Sequence, residues 1–361
     1  MYLGGEKMAF PFDEIFCKKS SWEKLQNSKL PIAVYGTGNG ADMVFNEFDH
    51  LNIVPAGVVA SDGFVRNRTF HGYTVKSISD FSKENHDFVI ALVFASSNSS
   101  VISNIKNLSK EHTIIMPSVP VYGNNIFNKD FMIKNRDEII NAYDLLADSK
   151  SKEVFKGIID FQITGNLNST FSVESKKDEA YSILNLSSGE KYFDLGAYRG
   201  DTIDEFLKYS NNYDRILAVE PDTRTFKKLS SHCENLENTT CLNNGVWSSN
   251  IIQLLDDNMG RGTFLGKGQK QIETVSVDYL TEKYFAPTFI NCDIEGAENE
   301  MLNGAYNTLK TYKPKLCISA YHRSEDIFYL VNKINEINNK YKIYLRHHPH
   351  ISFWDTNLYC I

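Results

Sequence analysis

The chain has 361 residues, which exceeds the usual size of a single hydrophobic core and predicts two domains. Its net charge is −7 and it has no basic block, so nucleic acid is not expected as the main partner. No Cys-x-x-Cys pair occurs, which argues against zinc and favours a reducing compartment. No apolar run predicts a membrane span and no signal peptide is evident, so we expect a cytoplasmic protein.

Residues 1–123 are predicted to form a small α/β domain. Strand and helix patterns alternate here, which is typical of a parallel sheet with crossover helices. The predicted strands are residues 32–35, 56–60, 88–94 and 113–116. The predicted helices between them are residues 41–48 and 100–109.

A glycine-rich turn follows the first predicted strand and precedes a helix. Gly36, Gly38 and Gly40 form a G-x-G-x-G pattern, which lacks the full G-x-G-x-x-G fingerprint of dinucleotide sites. Asp62 lies about twenty residues further on, where such folds place a ribose-binding acid. Two interpretations stay open: the turn binds a nucleotide-like ligand, or its glycines only allow close packing of strand and helix.

The rest of the chain is predicted as a helical bridge or lid over residues 124–185 and a second α/β domain over residues 186–361. In the second domain, five strand–helix units precede a final pair of strands, which is the outline of a class I methyltransferase sheet closed by a β-hairpin. The predicted fold class is therefore α/β with two doubly wound Rossmann-like domains. Strands are predicted at residues 191–195, 215–220, 239–243, 289–294, 315–320, 342–346 and 357–361. Helices are predicted at residues 202–209, 224–235, 298–309 and 325–338.

The turn after the first strand of the second domain is expected to hold a cofactor. Its glycines let the backbone approach a ligand that lies across the strand ends. An acid at the strand end suits the cationic methionyl part of S-adenosylmethionine better than it suits a phosphate, so Asp194 favours that cofactor. Thr202 and Glu205 have the spacing of a capping box at the following helix. The predicted cofactor-binding residues of the turn are Gly196, Ala197, Tyr198, Gly200 and Thr202.

Three further segments follow the next strands. Glu220 closes the second strand, where its carboxylate can accept hydrogen bonds from both ribose hydroxyls of an adenosine, and Pro221 ends the strand. Asn244 and Gly245 follow the third strand and are predicted to flank the adenine. The polar loop at residues 256–262 is predicted to contact the acceptor.

Carboxylates cluster after the fourth strand. Asp293 and Glu295 are two residues apart, so both face one side if the strand continues. They are predicted to orient an acceptor hydroxyl, to act as general base, or to hold a divalent cation, and Asp293 is also a predicted cofactor-binding residue. His322 follows the fifth strand and is a further candidate base near neutral pH.

Together these segments resemble the FkbM family of S-adenosylmethionine-dependent methyltransferases over roughly residues 190–361. The resemblance implies methyl transfer from S-adenosylmethionine, mostly to hydroxyls of sugars, glycans or polyketide-type metabolites. It does not fix the acceptor, the metal dependence or the oligomeric state. The stretches that carry it are residues 193–202, 219–221, 292–298, 319–322 and 355–359.

Two other functions remain open from the sequence. The first is a nicotinamide-dependent sugar oxidoreductase or epimerase that uses the glycine turn at residues 36–40. Against it, no convincing Tyr-x-x-x-Lys pair accompanies that turn. The second is a non-catalytic nucleotide-sugar binding protein. The intact set of Asp194, Glu220 and Asp293 argues against a site that has decayed.

Overall fold

The structure is a computed structural model. Residues 257–262 of the predicted acceptor loop lie outside the described residues. Among the helices that are described, none combines the length and the apolar character needed to cross a membrane. The described residues are 11–65, 68–119, 122–123, 125–210, 212–256, 264–265 and 270–361, without the side chains of 256, 264 and 265.

The described residues divide into two compact units. Unit 1 takes its residues from Met1–Ile140, Glu153–Glu174 and His347–Trp354, and unit 2 from Asn141–Lys152, Ser175–Arg346 and Asp355–Ile361. Each unit is therefore built from three separate segments of the chain, whereas the sequence predicts three consecutive domains. Long-range packing is the reason: Ile351, from the predicted second domain, lies in a core cluster of unit 1.

The strands of unit 1 build one mixed sheet. They are β1 Ile32–Tyr35, β2 Gly57–Ala60, β3 Thr69–Phe70, β4 Tyr73–Ser77, β5 Val89–Leu92 and β6 Thr113–Ile115. Their order is β3-β4-β2-β1-β5-β6. The last five strands of this order are parallel, and only β3 pairs antiparallel, with β4. The predicted doubly wound α/β arrangement is confirmed for this unit.

The β3–β4 hairpin was not predicted. His71 and Gly72 connect the two strands, and both have positive φ, 46° and 81°. Two-residue turns of this kind match the twist of a hairpin. Their sequence signal here is a His-Gly pair, which is weaker than the Asn-Gly or Asp-Gly of typical hairpins.

Both faces of the unit 1 sheet are covered. Val34, Val58 and Ala91 belong to one apolar cluster, and Ala33 and Ile90 belong to another. Since side chains alternate along a strand, these two sets lie on opposite faces, as expected for a parallel sheet between helices. The helices along this part of the chain are α1 Asp13–Phe16, α2 Ser21–Gln26, α3 Asn39–Leu51, α4 Ile78–Glu84, α5 Ser99–Leu108, α6 Lys129–Lys134, α7 Arg136–Leu145, α8 Ser149–Thr164 and α9 Leu167–Phe171.

Unit 2 contains a larger and a smaller sheet. The strands are β7 Glu190–Leu195, β8 Tyr213–Val219, β9 Thr239–Leu242, β10 Gly245–Val246, β11 Ile252–Asp256, β12 Phe264–Leu265, β13 Lys270–Val275, β14 Phe289–Cys292, β15 Lys315–Ser319, β16 Ile343–His347 and β17 Thr356–Cys360. Among the described residues the larger sheet has the order β16-β17-β15-β14-β7-β8-β9. β17 is antiparallel to β15, whereas β14, β7, β8 and β9 run parallel. The predicted class I methyltransferase sheet with a final strand pair is confirmed.

The smaller sheet, in the order β10-β13-β11-β12, was not predicted. It follows β9 in the chain and pairs β10 parallel with β13. The helix predicted over residues 298–309 is divided into two at Gly304. The helices of this part are α10 Lys177–Leu184, α11 Asp201–Tyr209, α12 Thr223–His232, α13 Val277–Lys283, α14 Glu298–Asn303, α15 Tyr306–Thr311 and α16 Asp326–Ile337.

Candidate active site

The candidate site lies at the carboxyl ends of four neighbouring strands, β15, β14, β7 and β8. Because these strands are parallel, the turns that follow them meet at one edge of the sheet, where open α/β folds bind ligands. The turn after β7 is fixed to β8, since the amides of Gly196 and Ala197 both donate to the carbonyl of Val219 at 3.0 Å. Tyr198, at the tip of the turn, has the left-handed φ of 48°.

The glycines of the turn meet a steric demand of the protein itself. Gly196 has φ 85°, and a Cβ there would lie 1.9 Å from the carbonyl oxygen of Asp293. Gly200 has φ 99°, and a Cβ there would lie 2.4 Å from the ring of His232. The sequence analysis assigned both glycines to the approach of a cofactor. The structure supplies a sufficient reason in packing, and cofactor contact by this turn stays a prediction.

Asp194 is buried, and each of its carboxylate oxygens accepts from a neighbouring side chain. Thr202 Oγ1 donates to its Oδ2 at 2.6 Å, and Asn291 Nδ2 donates to its Oδ1 at 3.1 Å. Burial raises the pKa of Asp194 to about 6, although these hydrogen bonds oppose the rise. Asp194 therefore ties α11 to β7 and β14, and its predicted contact with the methionyl group stays a prediction.

The predicted capping box at Thr202 and Glu205 is wrong. α11 begins at Asp201, and Gly200 precedes it as the N-cap without a side-chain hydrogen bond. Thr202 lies inside the first turn, where its hydroxyl is committed to Asp194. The spacing of the two residues fits a capping box, but the left-handed Gly200 starts the helix two residues earlier.

We expect Thr202→Val to lower the free energy of unfolding by about 1–3 kcal/mol, because it leaves a buried carboxylate oxygen without its donor. Thr202→Ser keeps the hydroxyl and should lose much less. Urea unfolding of the two variants measures the difference. Equal stability of the two would show that the Asp194 contact contributes nothing.

Glu220 joins the ends of two turns. Its Oε2 accepts from the amide of Tyr198 at 3.0 Å, and its Oε1 accepts from the amide of Asp222 at 2.8 Å. Burial raises the pKa of this carboxyl to about 7, against the effect of both amides. Each oxygen retains a further lone pair, so the side chain can still accept two hydroxyl protons. This acceptor set fits the ribose of an adenosine cofactor.

Other predicted cofactor residues have structural partners. Asn244 donates from Nδ2 to the carbonyl of Glu273 at 3.2 Å, and Gly245 is a buried residue of β10. Asn243, which the sequence analysis missed, donates from Nδ2 to the carbonyls of Glu220 and Pro221 at 2.9 and 3.0 Å. It therefore fixes the strand end that carries Glu220. Cofactor contact by Asn244, Gly245 and Pro221 stays a prediction.

The structure brings the three predicted catalytic residues together. His322 is 2% exposed, and its Nε2 lies 3.3 Å from Asp293 Oδ1 and 3.4 Å from Glu295 Oε2. On its other side, Nδ1 lies 2.9 Å from Glu298 Oε1. Asp293 and Glu295 are partly open to solvent, with side chains 39% and 34% exposed. A buried histidine thus lies behind two accessible carboxylates.

The sequence of this part matches a known domain family. The sequence model described as the methyltransferase FkbM domain matches residues 194–344. These residues are a methyltransferase FkbM domain. No curated protein sequence matches the chain.

Solved structures share the fold. The structure of a methyltransferase FkbM from Methylobacillus flagellatus KT is 20% identical, with a TM-score of 0.67 over 96% of this chain and 92% of that chain. A precorrin-6y C5,15-methyltransferase from Geobacter metallireducens GS-15 is 12% identical, with a TM-score of 0.33 over 51% of this chain and 84% of that chain. Aeropyrum pernix fibrillarin, in complex with natively bound S-adenosyl-L-methionine, is 12% identical, with a TM-score of 0.32 over 51% of this chain and 74% of that chain. The first likeness extends through both units and shows a common fold.

The electrostatics of the FkbM site separate the roles of its residues. Burial disfavours the charged ring of His322, but Glu298, Asp293 and Glu295 outweigh burial and raise its pKa to about 10. The ring is therefore charged at pH 7, which does not suit the predicted role of a base. Burial raises the pKa of Glu295 to about 7, although His322 opposes the rise. Glu295 is poised to exchange a proton near neutrality.

Glu298 places negative charge in the first turn of α14, and it also has a larger role. It is fully buried, and its Oε1 accepts from the amide of Ile294 at 3.0 Å as well as pairing with His322. The acid therefore fixes the turn that presents Asp293 and Glu295. The sequence signal was its place at the end of the segment 292–298, which holds three acids.

A metal ion is not required to explain this cluster. In the described part of the chain, Asp293, Glu298 and His322 offer ligand atoms within 4.8 Å of one another. However, Glu298 contacts Nδ1 whereas Asp293 contacts Nε2, so the charged ring of His322 forms an ion pair on each side. The ion pairs of His322 account for the arrangement, and the predicted cation at Asp293 and Glu295 stays a prediction.

Proposed function

We propose that the FkbM domain is an S-adenosylmethionine-dependent O-methyltransferase whose acceptor is a hydroxyl of a sugar, nucleotide sugar or glycan. The observation that carries the proposal is the pair of partly exposed carboxylates, Asp293 and Glu295, beside the turn that Glu220 holds. Asp293 is fixed beside that turn, since its amide donates to the carbonyl of Leu195 at 3.0 Å. The sequence resemblance to the FkbM family supports the class of acceptor.

Glu220 and the turn at residues 196–200 would hold the cofactor, which supplies an electrophilic methyl group when bound. Glu220 would accept hydrogen bonds from the ribose hydroxyls through its two oxygens. The protein then has two tasks, to align an acceptor oxygen with the methyl group and to remove its proton.

Glu295 is the residue that takes the acceptor proton. Its pKa of about 7 leaves a large fraction ionised at neutral pH and still makes it basic enough to receive a proton. Asp293, two residues earlier, orients the hydroxyl. His322 is a positioning residue: it stays charged, pairs with both carboxylates, and limits how far their pKa values rise.

The first experiment measures the cofactor and the acceptor separately. S-adenosylhomocysteine is expected to raise the thermal unfolding temperature, as any ligand of the native state does. Labelled methyl transfer is then measured to a panel of nucleotide sugars, free sugars and glycans, with reaction at one hydroxyl expected. Absence of any stabilisation by S-adenosylhomocysteine would contradict the proposal. Stabilisation by reduced nicotinamide dinucleotide instead would favour the oxidoreductase alternative.

Glu220→Gln should weaken S-adenosylhomocysteine binding by roughly 10- to 100-fold, because charged acceptors contribute about 1.5–3 kcal/mol per hydrogen bond. The ionised carboxylate is the binding form and its pKa is about 7, so wild-type affinity should increase from pH 6 to pH 8. The variant should lack this dependence. Calorimetry measures both effects, with the exposed Glu234→Gln as control. An unchanged dissociation constant in Glu220→Gln would exclude ribose recognition by this residue.

A further inference from the structure

Unit 1 contains a cleft of about 300 Å³ at the carboxyl ends of its central strands. Gly36 and Thr37 line it after β1, Ala60 lines it at the end of β2, and Phe94 lines it beyond β5. β1 lies between β2 and β5, so the crossover connections leave in opposite directions at this point. Ligands of open α/β sheets bind at such switch points. All of these residues precede the FkbM domain in the chain.

The polar lining of the cleft favours an anion. Arg68 donates from Nη2 to the hydroxyl of Thr37 at the turn after β1. Within the described residues no carboxylate forms an ion pair with this guanidinium. The hydroxyls of Tyr35 and Ser61, 2.6 Å apart, add neutral polar groups to the wall. A guanidinium that is not neutralised by an acid is well suited to a phosphate.

The apolar lining favours a flat ring. Phe64 lies at the rim with 69% of its surface exposed, which is unusual for so large an apolar side chain. Phe94 packs edge-on against Tyr35, with ring centroids 5.2 Å apart. Exposed and half-buried aromatic rings beside a phosphate-binding group are suited to stacking with a base. The cleft therefore combines an anion site with a ring site.

Two observations argue against a dinucleotide. Asp62, the predicted ribose acid, accepts from the amide and the hydroxyl of Ser79 at the start of α4, and it is not among the residues that line the cleft. The cleft volume is also at the lower end of the range of about 300–1,000 Å³ for ligand pockets. It suits a mononucleotide portion better than two linked nucleotides.

The three glycines of the turn after β1 are interpreted from the sequence either as a ligand-binding turn or as a means of close packing, and the structure gives them different roles. A Cβ on Gly40 would lie 2.6 Å from the carbonyl oxygen of Val93, and one on Gly36 would lie 3.0 Å from the Val93 side chain. These two glycines serve close packing. A Cβ on Gly38 would have no atom within 4 Å, so packing does not explain this glycine.

We propose that the cleft of unit 1 binds a nucleoside diphosphate, with Arg68 contacting a phosphate and Phe64 contacting the base. This site goes beyond the proposed methyl transfer, since it shares no residue with the FkbM site. The wild-type chain is titrated with UDP, CDP, GDP and ADP by calorimetry, in saturating S-adenosylhomocysteine. At least one is expected to bind, and Arg68→Ala should weaken that binding by about tenfold or more. Phe64→Ala should weaken it as well.

Glu220→Gln is the control that separates the two sites. It should retain the nucleoside diphosphate affinity, whereas Arg68→Ala should retain the affinity for S-adenosylhomocysteine. The corresponding nucleoside and inorganic phosphate, tested alone, should each bind more weakly than the diphosphate. The proposal is overturned if none of the four nucleotides binds, if Arg68→Ala leaves their affinity unchanged, or if Glu220→Gln abolishes it. Tighter binding of a nicotinamide dinucleotide would also overturn it.

Discussion

His322→Ala is expected to lower the free energy of unfolding by about 3–5 kcal/mol, the range found when one partner of a buried ion pair is removed. Glu298 is fully buried, and in the variant its carboxylate would lose the His322 ring. The amide of Ile294 would be its remaining described donor. Asp293 and Glu295 would lose the same cation. The expected cost is therefore larger than that of the small cavity left by the ring.

His232→Ala is a matched control for this variant. His232 also pairs with a carboxylate, Asp204, at 2.9 Å, but both side chains are exposed. Exposed pairs contribute about 0–1 kcal/mol, so this variant should be close to wild type. Urea unfolding compares the two, and hydrogen exchange in β14 and β15 reports whether the loss lies in unit 2. Equal stability of the two variants would show that the buried pairs of His322 do not stabilise the fold.

The pH dependence gives an independent measure of the same cluster. The pKa of His322 rises from 6.5 in the unfolded chain to about 10 in the fold, so its contribution is complete below pH 6.5. That contribution is lost as the pH rises through about 10. The difference in stability between wild type and His322→Ala should shrink over this range. The acids that face the ring, Asp293, Glu295, Glu298 and Asp326, set the size of the effect.

The position of the cluster formed by Asp293, Glu295 and His322 could be predicted from the sequence, because parallel strands place their carboxyl ends at one edge of the sheet. Asp293 and His322 follow β14 and β15, which are hydrogen-bonded neighbours, so their proximity follows from the strand order alone. The charge on His322 could not be predicted in the same way. It depends on Glu298, whose side chain turns back from α14 to Nδ1, and on burial that only the packed structure reveals.

Other features depend on contacts far apart in the chain. Ile351 pairs with Ser96 and packs in unit 1, although it lies between β16 and β17 of unit 2. No local pattern around Ile351 indicates that this segment packs in unit 1. The small sheet after β9 has strands of only two residues at β10 and β12, which are too short to produce a recognisable alternation.

Glu295→Gln is expected to reduce kcat by about 10²–10⁴-fold, the usual contribution of a positioned base, measured with an acceptor that the panel identifies. The amide keeps the shape of the side chain but cannot take the acceptor proton. S-adenosylhomocysteine affinity should remain close to wild type, because Glu220, at a different strand end, provides the ribose contacts in the proposed site. Glu282→Gln, an exposed change on α13, is the control.

The pH profile distinguishes loss of a base from loss of structure. Because the base must be ionised and its pKa is about 7, wild-type kcat should fall about tenfold per unit below pH 7 and level off above it. Glu295→Gln should lose this acidic limb of the profile, the fall in kcat below pH 7. The left-handed φ of 54° at Glu295 holds its side chain next to His322, and amide substitution leaves that backbone unchanged. If Asp293→Asn removes the limb and Glu295→Gln retains it, the proton goes to Asp293. If both variants retain it, the acceptor loses its proton to neither carboxylate, and the pair serves only to orient the hydroxyl.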